Sequence, residues 1–477
     1  MIKTNDKNNA QVDDNIAKLA EVLPECVLEK RQKNGVVKRC VDFEKLCGAL
    51  GLSEEYYCRE KELFTWVGKK NAYEETLRPT EKTLLRTPEW EFKSKKTNNV
   101  YIEGDNLDVL KILCARKFRG VDIIYVDPPY NTGYVNFVYN DRFNSSNKRK
   151  RRLKSTKNEW NENISDWRSM FYSRMILARE ILADTGAVFV SVDDCEQANA
   201  VKILDEVYGR QNFVATFVWE TKREAKGIPP ASMRVANHEY ILCYSKSSAF
   251  HFNGDPRNVN DGFANPDNDP RGPWKRQYLQ RFGLGFREKT IVDPGSGRAF
   301  TFETPYTQEK LERWIEEKRV IFPTSPKNYP ARKEFFAEYK NPFKPVVTSW
   351  GLFSTKVGSE EVKKLFDGVK VFDYPKPLEL LKTLLRRAAP KNALVMDFFA
   401  GSGTLGHAVM ALNAEEGAAL RFLLVQAPEP CGKRSAPYKA GFENIGAICR
   451  ARLIRAAITL DKGCQDVDLG FRAYRVV

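Results

Sequence analysis

The stretch VDIIYVDPPY at residues 121–130 decides how the chain folds. Its first six residues are apolar apart from Asp122 and largely β-branched, which is typical of a buried strand. The two prolines that follow fix the backbone and donate no N–H, so the loop is stiff and rich in carbonyl acceptors. A carboxylate, rigid carbonyls and a flat ring at a strand end are suited to gripping a planar amine, and a nucleobase is our working hypothesis. The residues of this loop are Asp127, Pro128, Pro129 and Tyr130.

Composition and charge restrict the functional class. The chain has 477 residues, of which 42% are hydrophobic, and this is enough for two or three domains with sizeable cores. A net charge of +15 favours a polyanionic partner, most simply nucleic acid. No apolar run approaches the ~18 residues of a membrane span, and the polar N-terminus lacks a signal-peptide pattern. We therefore expect a cytoplasmic protein without a membrane partner.

The cysteines and histidines argue against several kinds of site. The ten cysteines are scattered and form no C-x-x-C pair, and the three histidines, His238, His251 and His407, lie far apart in the sequence. This pattern argues against structural zinc and against a histidine-based metal site, so no metal is expected. The shortage of histidine also weakens a Ser-His-Asp or Cys-His hydrolase.

Alternating strand and helix patterns indicate an α/β fold. Between residue 100 and about 245, apolar strand patterns alternate with helical spacing, as over residues 196–208. Such alternation predicts a largely parallel, doubly wound sheet. Before it, residues 12–31 and 42–50 have helical spacing. The strand patterns lie at residues 121–126, 187–192, 213–219 and 239–244.

A second strand runs into a glycine-rich turn near the end of the chain. Residues 394–404 are LVMDFFAGSGT, and helical spacing follows at once. Gly401 and Gly403 allow the backbone to lie close to a ligand at the carboxyl end of a sheet. Gly406 completes a G-x-G-x-x-G spacing, but Gln426 rather than an acid closes the next strand, which weakens a nicotinamide site. The chain contains no P-loop sequence, so no ATPase is indicated.

The composition changes between the two motifs. Residues 250–370 are rich in Gly, Pro, Asn and Asp, and basic and aromatic residues interleave around Lys275 and Arg276. This pattern favours an inserted domain that recognises nucleic acid over an irregular structural domain. A second basic stretch follows the Tyr130 loop and is either a solvated face or a flap that contacts phosphates. It consists of Lys148, Arg149, Lys150, Arg151 and Arg152.

The two motifs, and their order, resemble those of S-adenosylmethionine-dependent DNA amino-methyltransferases. The catalytic motif comes first, the cofactor motif comes last and the variable segment lies between them, which resembles the circularly permuted beta group. Within that group the chain is similar to the modification (Mod) subunit of type III restriction-modification systems. Further matching segments are Ile102–Leu107, His238–Ile241, Lys376–Leu378 and Asp468–Phe471.

The resemblance implies a fold and a division of the chain. The fold is a Rossmann-like α/β methyltransferase sheet in circularly permuted order. The catalytic half of the methyltransferase domain covers residues 98–249, and the cofactor-binding half covers residues 371–477. Between them lies a target-recognition domain inserted at residues 250–370, and a small N-terminal accessory segment covers residues 1–97.

The resemblance also implies which residues bind the cofactor, S-adenosylmethionine. The glycine-rich turn lines the methionine moiety, Asp105 lies by the adenosine, and Gln426 stands where many relatives have an acid for the ribose. The segment beginning at Lys376 closes over the methionine. The complete set is Asp105, Lys376, Pro377, Asp397, Phe399, Ala400, Gly401, Ser402, Gly403, Thr404 and Gln426.

The implied reaction transfers a methyl group to the N6 amine of an adenine flipped out of double-stranded DNA. Asp127 and the Pro128 carbonyl each accept a hydrogen bond from one N–H of the amine, and Tyr130 stacks on the base. In this family an Asp at the first motif position goes mostly with adenine. The alternatives are N4-cytosine methylation and a catalytically idle DNA-binding relative. DNA is the expected partner, and a second copy of the chain and a restriction subunit are left open as further partners.

Overall fold

The computed structural model describes residues 15–31, 37–50, 64–132, 157–224, 235–325, 327–461 and 467–477. The chain forms two compact units, one from Met1–Thr65 and the other from Trp66–Val477. Within the described ranges, no helix has both the length and the apolar character needed to cross a membrane. The basic stretch at residues 148–152 lies outside these ranges.

The N-terminal unit is small and mixed. The helix predicted over residues 42–50 is confirmed. The helix predicted over residues 12–31 is wrong in its second half, because Pro24 interrupts it and Val27 pairs with Val41 across two antiparallel strands. The elements of this unit are α1 (residues 15–22), β1 (Val27–Arg31), β2 (Val37–Val41) and α2 (Phe43–Ala49).

The second unit contains one large sheet and several small ones. Its strands are β3 (Leu84–Arg86), β4 (Val100–Glu103), β5 (Val121–Val126), β6 (Leu182–Val192), β7 (Phe213–Glu220), β8 (His238–Ser245), β9 (Asp255–Pro256), β10 (Trp274–Tyr278), β11 (Arg287–Val292), β12 (Ala299–Thr304), β13 (Val320–Ile321), β14 (Ala331–Phe335), β15 (Phe343–Lys344), β16 (Ser349–Leu352), β17 (Leu394–Asp397), β18 (Arg421–Gln426) and β19 (Arg472–Val476).

In the described part of the chain, the large sheet has ten strands in the order β16-β7-β8-β6-β5-β17-β18-β4-β19-β3. Pairing is parallel from β6 through β5, β17, β18 and β4 to β19. Strand β8 is antiparallel to both of its neighbours, and β3 is antiparallel to β19 at one edge. The strands predicted from sequence are present, although β6 begins earlier than expected, at Leu182.

The permuted order is visible at the centre of this sheet. Strand β17, from late in the chain, lies between β5 and β18, so Val395 is opposite both Ile123 and Phe422. Asp122, the polar residue within β5, accepts a hydrogen bond from the backbone N–H of Leu394 at 2.8 Å and thereby fastens the start of β17 to β5. The predicted α/β fold, with a Rossmann-like and circularly permuted sheet, is confirmed.

The helices form two groups around the sheet. Helices α4 and α6 both pack against α5, and α9 and α12 both pack against α10. Residues Leu384 and Val409 of the second group share one buried cluster with Ile123 and Tyr125 of β5. The helix bounds are α3 (Lys69–Leu77), α4 (Asn106–Ala115), α5 (Lys157–Ile181), α6 (Gln197–Tyr208), α7 (Gln308–Glu316), α8 (Thr355–Leu365), α9 (Leu378–Ala388), α10 (Thr404–Glu416), α11 (Ala436–Lys439) and α12 (Ile445–Leu460).

The segment between β8 and β16 forms small antiparallel sheets. One has the order β10-β14-β13, and β11 pairs with β12 and β9 with β15. A separate hydrophobic cluster lies here, and it includes Leu279, Phe302 and Trp314. Strand β16 then returns to the large sheet beside β7, while β3 comes from the segment expected to be accessory. The division of the chain into functional domains stays a prediction.

Candidate active site

The carboxyl ends of the central parallel strands meet at one edge of the sheet. Asp397 at the end of β17 lies opposite Tyr125 of β5 and Leu424 of β18, and Gln426 lies opposite Glu103 of β4. The chain leaves β5 toward β6 but leaves β17 toward β18, on the other side. A crevice opens where the winding reverses in this way, and ligands bind at such points. A cavity of about 750 Å³ lies there and is lined by both sequence motifs.

The loop after β5 carries a charged cluster at this cavity. The Asp127 Oδ1 atom lies 2.9 Å from the Lys376 Nζ atom, which is also 3.5 Å from Glu239 Oε2. Tyr130 donates a hydrogen bond from its hydroxyl to the same Glu239 oxygen at 3.0 Å. The Lys376 ammonium lies 4.8 Å from the centre of the Tyr130 ring. All four predicted catalytic residues, including Pro128 and Pro129, line the cavity.

The two proline carbonyls of this loop differ in their partners. The Pro129 carbonyl accepts a hydrogen bond from the buried Trp167 indole at 2.6 Å. Among the described residues, no donor is bonded to the Pro128 carbonyl. Beyond Tyr130, Asn131 takes a left-handed φ of 57° and donates to Glu196 at 2.9 Å. The loop is therefore fixed by α5 and the start of α6, while the Pro128 carbonyl stays available to a ligand.

Burial and neighbouring charges set the protonation of this cluster. Burial by itself lowers the pKa of the Lys376 ammonium, but the carboxylates of Asp127 and Glu239 outweigh it, so the pKa is raised and the side chain is a cation. Burial raises the pKa of Glu239, and the Lys376 charge opposes that shift. Burial, and then the charge on Asp127, raise the pKa of Tyr130 well above its usual value, so its side chain is a neutral phenol.

The glycine-rich turn after β17 forms the other wall. Gly401 and Gly403 have φ of 53° and 80°, in the left-handed region that favours glycine. A Cβ atom at Gly401 would lie 3.2 Å from the Phe372 ring. Asp397 accepts a hydrogen bond from the Phe399 N–H at 2.8 Å, and burial raises the pKa of Asp397 well above its usual value. The turn is thus held by the carbonyl-type oxygen of the acid that ends its own strand.

The predicted cofactor residues divide into two groups. Those that line the cavity are Lys376, Asp397, Phe399, Ala400, Gly401, Ser402, Thr404 and Gln426. Three others lie at helix N-termini outside the lining. Asp105 caps α4 by accepting from the Leu107 N–H at 2.8 Å, Pro377 precedes α9, and Gly403 precedes α10.

Comparison with known proteins assigns the chain to a family. Residues 121–444, which include both motifs, match the model of a family described as DNA methylase. The chain belongs to this DNA methylase family. The prediction that the chain is an enzyme, a DNA methyltransferase, is confirmed. Membership of this family implies S-adenosylmethionine as the cofactor.

Two curated relatives are Mod subunits of type III restriction-modification enzymes, as the sequence resemblance predicted. The StyLTI Mod subunit from Salmonella typhimurium is 32% identical over 100% of the methylase and 76% of its own length. The EcoP15I Mod subunit from Escherichia coli is 28% identical over 97% of the methylase and 77% of its own length. Among solved structures, the M1.HpyAVI–SAM complex matches 74% of the methylase and 98% of its own chain, at 13% identity and a TM-score of 0.33.

Two residues of the methylase that contact predicted site residues had no role assigned from sequence. Glu239 lies in one of the segments that match the family. The sequence signal that could have indicated a role is an acid at the start of an apolar strand. Arg452 in α12 is fully buried and donates to Ser402 Oγ at 2.8 Å and to Thr404 Oγ1 at 2.7 Å, so it holds the glycine-rich turn from behind. Burial lowers the pKa of Arg452 to about 10.

The predicted DNA-binding residues of the inserted segment face different surroundings. Side chains of β10 alternate between its two faces, so Arg276 is exposed and Lys275 is half-buried. The Lys275 ammonium lies 3.5 Å from Glu334 and 5.0 Å from the ring centres of Phe263 and Tyr339. DNA binding by these two residues, and by the basic stretch at 148–152, stays a prediction.

Proposed function

We propose that the methylase transfers the methyl group of S-adenosylmethionine to the N6 amine of an adenine flipped out of double-stranded DNA. The observation that supports this proposal is the Asp127 loop, which lines one cavity with the Gly401 turn. The loop presents a carboxylate, the Tyr130 ring and the Pro128 carbonyl, to which no donor among the described residues is bonded. The carboxylate and the carbonyl can accept hydrogen bonds from both N–H groups of an exocyclic amine, and the ring offers a surface for the base.

The reaction needs help because the adenine amine is a weak nucleophile, its lone pair being delocalised into the ring. The two acceptors, Asp127 and the Pro128 carbonyl, favour a pyramidal nitrogen and so free that lone pair. The Asp127 carboxylate also offsets the positive charge that develops on the nitrogen. Stacking on Tyr130 offsets part of the few kcal/mol that base flipping costs. Alignment of the amine with the methyl group contributes most of the remaining rate.

The cavity fits the proposed cofactor in charge and in backbone geometry. When bound, S-adenosylmethionine supplies an electrophilic methyl group on a positively charged sulfur. Among the described residues, the lining has six acidic side chains against two lysines. Burial raises the pKa of Asp397 and Glu239, and the four other acids still outnumber the lysines, which favours a cation. Gly401 carries no side chain of its own, so its backbone can lie close to a ligand in the cavity. The six acids are Asp127, Asp193, Glu239, Asp373, Asp397 and Glu429.

Gln426 supports the cofactor site through the glycine-rich turn. Its Oε1 atom accepts a hydrogen bond from the Gly401 N–H at 2.6 Å, and its amide donates to the Ala427 carbonyl at 3.0 Å. Gln426→Leu leaves the Gly401 N–H without its acceptor, and we expect the cofactor to bind about tenfold more weakly by calorimetry. Gln426→Glu keeps an acceptor oxygen and should restore most of the affinity. Equal binding by the Leu variant and the wild type would contradict this role.

We propose that the inserted segment recognises the target sequence. The loop between β10 and β11 carries Phe282, with 81% of its side chain exposed, and a fully exposed Leu284. The exposed Arg281 and Arg287 flank them. Exposed apolar side chains between cations suit a surface that contacts bases and phosphates together.

Charge reversal of this loop should weaken binding to duplex DNA. Replacing Arg281 and Arg287 by glutamate is expected to lower the slope of log K against log salt by about 0.9 for each phosphate that the loop no longer neutralises. Titrations of a labelled duplex at several salt concentrations measure that slope. Arg313→Glu on α7 is the control, because Arg313 is exposed and pairs with Glu317 at the end of the same helix. A slope unchanged from wild type would exclude phosphate binding at this loop.

We further propose that the methylase acts in the cytoplasm together with a restriction subunit, and as a homodimer. The curated relatives named as Mod subunits support the first partner. Co-purification with a candidate restriction subunit, and the mass of the purified protein in solution, test the two assemblies separately.

Sequencing modified bases in the genome of a host that expresses the chain tests the reaction itself. N6-methyladenine at one short sequence is the expected result. N4-methylcytosine would favour the alternative base. Unmodified DNA from a host producing folded, cofactor-binding protein would indicate an idle relative. The Asp127→Ala variant is the matched control, since it should leave the genome unmodified.

A further inference from the structure

The Lys376 ammonium occupies the place proposed for the target amine. It lies 2.9 Å from Asp127 Oδ1, the acceptor assigned to the adenine N–H, and 4.8 Å from the centre of the Tyr130 ring, the surface assigned to the base. A lysine ammonium and an exocyclic amine are both nitrogen donors. The same oxygen and the same ring therefore attract either of them.

The position of Lys376 is built into the fold. The backbone on either side is fixed, because the Leu378 N–H donates to Glu361 of α8 at 3.0 Å and a Cβ atom at Gly358 would lie only 2.4 Å from the Pro375 carbonyl. The Lys376 residue is 9% exposed. The flexible side chain is thus the part that can move, while the backbone around it stays in place.

We propose that Lys376 is an internal substitute for the target amine, which neutralises Asp127 in the DNA-free enzyme and leaves that carboxylate when adenine enters. This inference rests on the proposed function. Glu239, already 3.5 Å from the ammonium, is the partner that keeps Lys376 after the exchange. Entry of adenine breaks one charge-assisted bond to Asp127 and forms another, so the amine adds little net affinity. The Asp127 side chain, which is 26% exposed, keeps a hydrogen-bond donor before and after the exchange.

The exchange predicts which target bases bind with an affinity that depends on Lys376. A purine without the 6-amino group does not compete for Asp127, so its binding does not require the lysine to leave. Removing the ammonium should therefore help adenine and not the purine analogue. A lysine that merely supports the fold would affect both bases alike.

Duplexes carrying the methylation site read from the host genome test the exchange. The target position is left opposite an abasic site, to limit the cost of flipping, and holds either adenine or purine. Affinities are measured by fluorescence anisotropy with S-adenosylhomocysteine present, which prevents turnover. Lys376→Met should bind the adenine duplex about tenfold more tightly than wild type and the purine duplex equally well. Lys376→Gln, which also lacks the charge, should change in the same direction.

Lys382→Met is the matched control, since Lys382 is also buried but pairs with Glu415 and Glu379 outside the cavity. It should leave both affinities unchanged. Equal changes for adenine and purine, or weaker adenine binding, would overturn the exchange. So would a loss of S-adenosylhomocysteine binding with unchanged DNA affinity, because Lys376 would then be a cofactor ligand. Failure of the proposed function is a separate result, because it would show as an absence of N6-methyladenine with the wild-type enzyme. Failure of the exchange alone would leave that modification in place.

Discussion

Asp127→Ala is expected to abolish methyl transfer and to leave cofactor binding nearly intact. The variant removes one of the two acceptors for the amine and the negative charge that offsets the developing cation. Loss of one such preorganised group costs roughly 10²- to 10³-fold in kcat. The fold should tolerate the change, because Lys376 keeps Glu239 as a partner. Transfer of tritiated methyl groups to DNA measures the rate, and calorimetry measures the affinity for S-adenosylmethionine.

Asp194→Ala is a suitable control for this variant. Asp194 also follows a strand of the same sheet, but it accepts its hydrogen bond from Tyr240 at 2.9 Å and does not line the cavity. We expect nearly normal activity from it. Normal activity in Asp127→Ala would remove the mechanism proposed for the amine. A large loss of cofactor affinity in that variant would reassign Asp127 to cofactor binding.

Gly401→Val is expected to eliminate cofactor binding. A β-branched residue is strained at a φ of 53°, and its Cβ atom would lie 3.2 Å from the Phe372 ring. The two methyl groups would occupy space at the cavity wall where the backbone should meet the ligand. We expect affinity to fall roughly 100-fold or more, which corresponds to about 2.7 kcal/mol. Calorimetry with S-adenosylmethionine checks the affinity, and the thermal midpoint checks folding.

Gly417→Val separates the backbone strain from the loss of the site. Gly417 directly follows α10 with a left-handed φ of 63°, and no atom of the described residues would lie within 4 Å of an added Cβ. The two variants share the substitution and nearly the same backbone strain, but only Gly401 lies at the cavity. Both should lose thermal stability, and only Gly401→Val should lose the cofactor. Methyl transfer by Gly401→Val at ordinary cofactor concentration would disprove the assignment of the turn.

The sequence was sufficient to predict the centre of the fold. A buried strand, its rigid acidic loop and the strand before the glycine-rich turn each have a local pattern, and the order of the two motifs indicates the permuted winding. The prediction that Asp127 and Gly401 come together follows, because parallel strands present their carboxyl ends at one edge. The short edge strands β3 and β16 were not predicted, since three or four residues carry little periodicity.

The hydrogen-bond and ion-pair partners of individual side chains could not be predicted from the sequence. Lys376 was assigned to the cofactor from its neighbours in the sequence, whereas its contact with Asp127 depends on how α8 and α9 position a loop far along the chain. The place of Gln426 at the ribose stays a prediction, and the bond that its acceptor oxygen makes to the Gly401 N–H was not foreseen. Such contacts depend on tertiary packing, which local patterns do not describe.

The tether from Arg452 to the glycine-rich turn has a consequence for biosynthesis. Ser402 and Thr404 leave the ribosome before α12 does, so the turn has no support from Arg452 while synthesis is under way. Strand β3 gains its partner in the large sheet even later, because it pairs with β19, which is translated last among the described strands. A nascent chain that already contains both motifs therefore still lacks the contact from Arg452 to the cofactor turn. We expect the ability to methylate DNA to appear late and in one step, rather than to increase gradually with chain length.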